Sequence, residues 1–208
     1  KTRDVLRRFG VRRMRTEDGF SVPGGQTYRL PAHELAPEGD WSGAAVWLAV
    51  NALGGRIALR GLKDDSLQSD RRMAQLACTL PGTVDIADIP DLLPLLCVLA
   101  AFQPAATRFL HAGRLCYKES DRLNGCARLI CDLGGLAQAE EDALLVQPRP
   151  LTGGETDARG DHRMAMAAAA AACVCPQGVL LRGAECVDKS YPAFWADYKR
   201  LGGQMHVL

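Results

Sequence analysis

The stretch from Arg114 to Leu123 concentrates charged side chains that could bind or transfer an anionic group. Its charged members after the first residue are Lys118, Glu119, Asp121 and Arg122. A helix that begins with Ser120 as its N-cap would explain the two acids, because a helix N-terminus favours negative charge. It would not explain Lys118 and Arg122, since cations gathered at a helix N-terminus suit an anionic ligand. On this stretch alone, a charged helix start remains the simpler interpretation.

Three other short stretches hold residues of similar chemistry. Asp161 is typical of an N-cap, but His162 and Arg163 follow it at the positive end of an alanine-rich helix, where an anion is the simplest compensation. Lys189 lies where a strand ends and a helix begins, and a single lysine is usually solvated. Asp91 follows an Ile-Pro pair and is also open to interpretation as a helix cap.

A pattern that repeats three times would position these residues. In each copy an acid opens a very apolar helix, and a short strand follows the helix. The opening acids are Asp40, Asp91 and Asp161, and the strands are predicted at 56–62, 106–112 and 179–184. An amphipathic second helix then follows, predicted to begin near Ser69, Ser120 and Ser190. A hairpin at 136–146 follows only the second copy.

The repeated pattern predicts an α/β fold (α+β) of βαβαββ units around a pseudo-threefold axis. The opening acids would then lie on one rim of the molecule. This arrangement would bring together Asp91, Lys118, Arg122, His162 and Arg163.

The first 37 residues differ from this pattern. Residues 1–9 are predicted to end a helix, and a hairpin is predicted from 11–14 and 20–22. The stretch 23–37 is rich in Pro and Gly and is interpreted as a crossover. We therefore expect residues 1–37 to be a remnant of another lobe, with three related units at about 38–87, 88–150 and 151–208. Because Lys1 lies within an apparent helix, we expect the natural chain to extend further upstream.

Composition excludes several classes of protein. The chain has 208 residues, 48% of them hydrophobic, with a net charge of +1, which argues against a general nucleic-acid binder. No apolar run is long enough and free enough of charge to span a membrane. The eight cysteines lack the spacing of a metal site and are interpreted as reduced thiols, typical of a cytoplasmic protein.

Five motifs in this order resemble the 5-enolpyruvylshikimate-3-phosphate synthase family. They are Glu38–Asp40, Ile89–Asp91, Lys118–Leu123, Asp161–Ala167 and Lys189–Pro192. The resemblance extends over residues 1–37 through Phe9–Val11 and Gly24–Gln26. It implies the enolpyruvyl-transferase lobe, an inside-out α/β barrel, which would be incomplete in this chain because the family enzyme has two lobes.

The resemblance implies an activity in the shikimate pathway, which leads to the aromatic amino acids. The enolpyruvyl group of phosphoenolpyruvate would move to the 5-hydroxyl of shikimate 3-phosphate, and phosphate would leave. The family reaction adds and then eliminates through a tetrahedral ketal phosphate, with no metal and no organic cofactor. Glyphosate would be expected as an inhibitor of the complete enzyme.

The matched motifs imply roles for individual residues. Arg122 and Arg163 match the residues that bind the carboxylate of phosphoenolpyruvate, whose planar shape suits two guanidinium forks. Lys189 matches a catalytic lysine near the phosphate and the leaving oxygen. Asp91 matches the carboxylate that holds the shikimate ring hydroxyls and takes the 5-hydroxyl proton. Lys118 matches a lysine that contacts shikimate 3-phosphate.

Three further matches are less direct. Glu119 matches the acid that protonates the methylene carbon, although the neighbouring cations favour its charged form and its protonation state stays open. His162 would lie near Glu119 and could tune it. Arg114 stands where some members have a substrate-binding Asn, and Cys116 stands where the family often has Arg.

Two functions from different classes remain open on the sequence. The first is a fragment of the synthase that needs the N-terminal half of the same enzyme, or self-associates, and is inactive alone. The second is a non-catalytic α/β module, derived from this enzyme, that binds small anions or a protein partner.

Overall fold

Three apolar helices lie at the centre of the molecule. The structure is a computed structural model that describes residues 2–31 and 36–207. The helices are α2 (Trp41–Ala52), α4 (Leu93–Ala100) and α6 (His162–Ala172). Each contacts the other two, and all eight residues of α4 are buried. The alanine run of α6 leaves little side-chain bulk, so its neighbours can approach closely and form one core.

The region 83–147 forms the most regular part of the fold. Its elements are β3 (Thr83–Asp85), α4, β4 (Thr107–Leu110), α5 (Arg122–Asp132), β5 (Leu136–Ala139) and β6 (Ala143–Gln147). The strands form a sheet in the order β3-β4-β6-β5, in which only β3 and β4 are parallel. This order of elements is the predicted βαβαββ pattern, and the predicted strand at 106–112 and hairpin at 136–146 are confirmed.

The third repeat forms a smaller sheet. β7 (Gly154–Asp157) pairs in parallel with β8 (Val179–Arg182), with α6 between them in the chain. α7 (Phe194–Arg200) then packs its aromatic Phe194 against Trp47 of α2, with ring centroids 5.5 Å apart. The predicted strand at 179–184 is therefore confirmed, with an end two residues earlier.

The first repeat departs from the pattern. The strand predicted at 56–62 is wrong, because no strand is assigned between Trp41 and α3 (Met73–Cys78). The side chain of Asn51 instead accepts from the backbone N–H of Ile57 at 2.7 Å and donates to its carbonyl at 2.8 Å. The backbone of Ile57 thus bonds to a side chain, whereas in a strand it would bond to the backbone of a neighbouring strand.

The N-terminal region keeps its predicted elements with shifted bounds. α1 (Thr2–Arg8) is followed by β1 (Met14–Thr16) and β2 (Gly19–Ser21), which pair as an antiparallel hairpin. The first strand begins later than predicted because the side chain of Gln26 bonds to the backbone N–H and carbonyl of Arg12, at 2.7 and 2.9 Å. The crossover is loop as far as it is described, and its residues 32–35 lie outside the described residues.

The helix caps separate the predicted acids into two kinds. Asp40 and Asp161 are N-caps, and each side chain accepts from a backbone N–H two residues on, at 2.9 and 3.0 Å. The capping interpretation of Asp91 is wrong, because Asp91 lies inside a 3₁₀ turn (Pro90–Leu92) that makes no side-chain cap bond. The cap of α5 is Asp121 and not Ser120, since Asp121 accepts from the N–H of Asn124 at 3.2 Å.

A buried ion pair joins α5 to α6. The Arg122 Nε donates to Asp161 Oδ2 at 2.8 Å, and both side chains are 0% exposed. Burial alone would raise the pKa of Asp161, but its hydrogen bond and ion pair with Arg122 outweigh burial and lower it. The carboxylate is therefore charged at neutral pH, and the pair holds the first turns of the two helices together.

We predict that Asp161→Asn lowers the free energy of unfolding at pH 7 by about 3–5 kcal/mol. Asn still caps α6, but the variant loses the fully buried counter-charge of Arg122. Since the native pKa of Asp161 is lowered, its contribution is present above the unfolded pKa of about 4 and is lost as the pH falls through the native value. Urea denaturation of both proteins at pH 7 and pH 3 checks this.

The difference between the two proteins should shrink at pH 3. Asp188→Asn provides the control, because it removes the same charge from an exposed position and should change stability by less than about 0.5 kcal/mol. A loss at pH 7 below about 1 kcal/mol for Asp161→Asn would contradict the structural importance of the pair.

Candidate active site

The N-terminal ends of α5 and α6 meet the turn that precedes α4. His162 lies beside this meeting point, at the start of α6. Six other site residues predicted from the sequence meet there, and each forms an ion pair with at least one of the others. They are Asp91, Lys118, Glu119, Arg122, Arg163 and Lys189. The segments that carry them are separated by up to 98 positions along the chain, so only the packing of the central helices brings them together.

Arg122 lies at the middle of this cluster, and its side chain is 0% exposed. Besides its bond to Asp161, it donates from Nη1 to Asp91 Oδ1 at 2.7 Å and from Nη2 to Glu119 Oε2 at 2.6 Å. Nη2 also reaches Asp161 Oδ1 at 3.3 Å. Burial would lower the pKa of Arg122, but the carboxylates of Asp161 and Asp91 raise it. The guanidinium is thus permanently charged and bonded to three carboxylates.

Asp91 is the carboxylate with the most cations around it. Its oxygens lie 2.7 Å from Arg122 Nη1, 3.5 Å from Lys118 Nζ and 3.3 Å from Arg163 Nη2. Partial burial would raise the pKa of Asp91, but the charges of Arg163, Arg122 and Lys118 outweigh burial and lower it. Asp91 is therefore ionised at neutral pH, which is the state that a proton acceptor requires.

Glu119 lies between Arg122, which is the buried cation of the cluster, and Lys189, which is its most exposed cation. Its Oε2 accepts from Arg122, and its Oε1 lies 3.9 Å from Lys189 Nζ. The side chain of Lys189 is 61% exposed, so it is open to a ligand from solvent.

His162 is buried at the first position of α6, and its Nδ1 has no hydrogen-bond partner. Burial lowers the pKa of His162, and the charge of Arg163 lowers it further. The imidazole is therefore neutral at physiological pH. A neutral histidine with an unpartnered ring nitrogen can accept or donate a hydrogen bond, depending on its tautomer, without adding a charge to the cluster.

The structure leaves Arg114 outside the cluster and adds two residues to it. Arg114 is exposed, and its guanidinium donates to the backbone carbonyl of Ala87. Asp161 was identified from the sequence only as a cap, although it is also a partner of Arg122. Ser120 donates to Asp161 Oδ2 at 3.2 Å. The N-cap spacing pointed to both residues, but no sequence signal indicated that they meet each other.

The cluster combines four cations with three carboxylates. The cations are Lys118, Arg122, Arg163 and Lys189, and the carboxylates are Asp91, Glu119 and Asp161. The positive ends of α5 and α6 add to the surplus of positive charge. Within residues 2–31 and 36–207, no group of His, Cys, Asp and Glu is arranged to hold a metal ion. The arrangement can bind a small polyanion and hold an ionised base beside it.

Comparison with known proteins identifies the family and the fold. The profile of the family EPSP synthase (3-phosphoshikimate 1-carboxyvinyltransferase) matches residues 78–198. The 3-phosphoshikimate 1-carboxyvinyltransferase of Clostridium acetobutylicum is 36% identical over 99% of this chain and 52% of its own length. That of Methanopyrus kandleri is 32% identical over 100% of this chain and 52% of its own length.

Solved structures show the same fold. EPSP synthase from Acinetobacter baumannii superposes with a TM-score of 0.69 at 21% identity, over 97% of this chain and 54% of that one. The enolpyruvyl transferase NikO from Streptomyces tendae superposes with the same TM-score at 18% identity, over 97% and 52% of the two chains. No helix in the described part of the chain is long and apolar enough to cross a membrane.

The chain aligns with only part of each of these relatives. It spans about half the length of the curated relatives that it matches. The profile match covers more than half of the chain, and the relatives align with nearly all of it. The chain therefore belongs to the EPSP synthase (3-phosphoshikimate 1-carboxyvinyltransferase) family.

Proposed function

We propose that this chain supplies the cationic half of an active site that transfers the enolpyruvyl group of phosphoenolpyruvate to the 5-hydroxyl of shikimate 3-phosphate, with release of phosphate. The observation that carries the proposal is the convergence of four cations and an ionised Asp91 at the meeting point of α5, α6 and the turn before α4. Membership of the family supports the choice of reaction.

Phosphoenolpyruvate would bind through three of the cations. Arg122 and Arg163 both contact Asp91, so two guanidinium groups already face one carboxylate. A substrate carboxylate is suited to the same forks, because the guanidinium geometry matches two oxygens. Lys189 would hold the phosphate and assist the leaving oxygen, which its exposure permits.

The second substrate would lie on the side of Asp91 and Lys118. Asp91 would hold the ring hydroxyls of shikimate 3-phosphate and accept the 5-hydroxyl proton as that oxygen attacks the central carbon of phosphoenolpyruvate. Lys118, 3.5 Å from Asp91, would contact the substrate with it, and Arg114 would extend this contact. Glu119 would give a proton to the methylene carbon, with His162 beside it as a tuning residue.

The rest of the site would come from a partner. We propose that residues 38–208 form one lobe of three related units and that residues 1–37 belong to another lobe. The half-length match supports this division. The reaction would then occur in a cytoplasmic enzyme, between this lobe and the N-terminal half of the same enzyme. Glyphosate would inhibit only the complete assembly, and no nucleic acid or membrane would take part.

An incomplete sheet supports the need for that partner. Among the described residues, β7 and β8 form a sheet of two strands, and residues 57–59 are not assigned to any strand. A groove of about 1050 Å³ is lined by Ile57, by Val179 and Leu180 of β8, and by C-terminal residues such as Met205. Unpaired strand edges attract another strand. We propose that an extended segment of the N-terminal half fills this groove, and that the isolated chain self-associates through it.

We predict that Asp91→Asn lowers turnover of the assembled enzyme by roughly 10²–10⁴-fold, because Asn cannot accept the 5-hydroxyl proton. Folding should be kept, since Asp91 caps no helix and the amide oxygen can still accept from Arg122. Steady-state phosphate release, with circular dichroism as the test of folding, measures both effects.

Asp88→Asn is the matched control for this variant. Asp88 lies three residues earlier, is exposed and would lose the same charge. Its turnover should stay within about twofold of the parent. If Asp91→Asn is folded and equally active, Asp91 is not the base.

We predict that the 208-residue chain alone releases no phosphate from the two substrates, and that activity appears on mixing with a separately expressed N-terminal half of a family member. The physical reason is that one lobe cannot enclose the reacting groups and exclude water. A phosphate-release assay of each half and of the mixture checks this.

The same assay separates the remaining functions. Activity of the chain alone, at rates typical of an enzyme, would contradict the need for a partner. A mixture that forms a stable complex but stays inactive would instead favour the second function, a non-catalytic module that binds small anions or a protein partner.

A further inference from the structure

Glu119 spans two cations that a substrate would also span. One of its oxygens accepts from Arg122 at 2.6 Å, and the other lies 3.9 Å from Lys189 Nζ. In the proposed function, these same cations hold the carboxylate and the phosphate of phosphoenolpyruvate. The side chain of Glu119 thus lies across the two ends of the anion site.

The three carboxylates on Arg122 differ in how readily they can leave. Asp161 is fully buried, bonds to Nε of Arg122 and caps α6 with its other oxygen. Asp91 has two further cations beside it, Lys118 and Arg163. Glu119 has a 30% exposed side chain, and among the described residues its one close bond is to Arg122, with Lys189 further away. It lies in the short connection between a 3₁₀ helix (Gly113–Tyr117) and α5, where a rotamer change disturbs no helix. Glu119 is therefore the partner that can be exchanged.

Exchange also solves the problem of a buried cation. A fully buried guanidinium without its counter-charge is strongly destabilising. If a ligand carboxylate enters as Glu119 leaves, Nη2 of Arg122 has an anionic partner throughout. Glu119 keeps the cation satisfied in the ligand-free protein, and the ligand does so afterwards.

We propose that Glu119 is an internal competitor, which occupies on Arg122 and Lys189 the place that the substrate anion takes, so that binding is an exchange of one carboxylate for another. The inference rests on the proposed function, because it assigns the ligand to these same cations. It makes Glu119 a specificity-determining residue. A ligand must offer both a carboxylate for Arg122 and a second anionic group for Lys189 in order to displace a group that already contacts both.

The test is calorimetric titration of phosphoenolpyruvate into the 208-residue chain and into its Glu119→Gln variant. Gln has the shape of Glu but lacks its charge, so it competes less for both cations. We expect the Kd of the variant to be lower than that of the parent by roughly 5- to 50-fold, within the usual range of coupling between competing groups. A Kd that is unchanged or higher would overturn the inference.

Asp121→Asn is the control for the general effect of losing a negative charge. Asp121 lies two residues further on, caps α5 and makes no bond to Arg122, and Asn keeps the cap. Its Kd should stay within about twofold of the parent at 0.15 M salt, where screening is effective. An equal gain in affinity for both variants would show that Glu119 acts only through its charge and would overturn the exchange.

A ligand-free measurement separates this inference from the proposed function. NMR of the Arg122 side chain should show slow rotation of its Nη2 group in the parent and faster rotation in Glu119→Gln. If this contact is present and both proteins bind phosphoenolpyruvate equally, the inference alone fails. If the contact is present and neither protein binds up to about 10 mM, the proposed substrate site fails and the inference fails with it.

Discussion

A guanidinium group that is removed from water needs an acceptor for its N–H groups and a counter-charge close by. Arg122 meets this need with three carboxylates from three separate segments: Asp91 before α4, Glu119 before α5 and Asp161 at the start of α6. The site and the core are therefore interdependent, since the helices cannot pack without bringing these acids to Arg122. Leaving any of the acids unpaired would also be costly, because each is at least partly buried.

The apolar helices explain why these three segments meet. α4 and α6 pack against each other, with α2 beside both, and ion pairs join their starting turns. Their starting turns consequently lie close together, and α5 begins at the same place. Helix N-termini favour anions, whereas the residues found there include Arg122 and Arg163. The carboxylates offset part of this charge in the ligand-free protein, and the remaining positive charge favours an incoming polyanion.

The β-sheets of the fold differ in how many strands they contain. Within the described residues, the sheet of 83–147 has four hydrogen-bonded strands, whereas β7 and β8 form a pair and residues 57–59 belong to no strand. The groove between these last two segments lies towards the C-terminal ends of α2 and α6, where Val50 and Ala172 line it. The anion cluster lies at the opposite ends of α4 and α6. A protein partner on the groove would thus leave the cations accessible.

The sequence by itself determined the family and much of the repeated pattern, and it pointed to most residues of the candidate site, because motifs, helix caps and apolar periodicity act over a few residues. The motifs around Lys118 and Asp161 are local, and so are the caps at Asp40 and Asp161, which the structure confirms. The hairpin at 136–146 is local as well, because only residues 140–142 separate its two paired strands.

Tertiary structure alone decided the rest, because it depends on partners that are distant in the chain. The stretch after α2 has the composition of a strand, but a strand needs a neighbouring strand, and the side chain of Asn51 bonds to the backbone of Ile57 instead. Asp91 has the sequence context of a cap, yet Arg122 and Arg163 draw its side chain into the cluster. The sequence predicted that Arg122 binds an anion, whereas only the packed helices show that three carboxylates, Glu119 among them, bond to it.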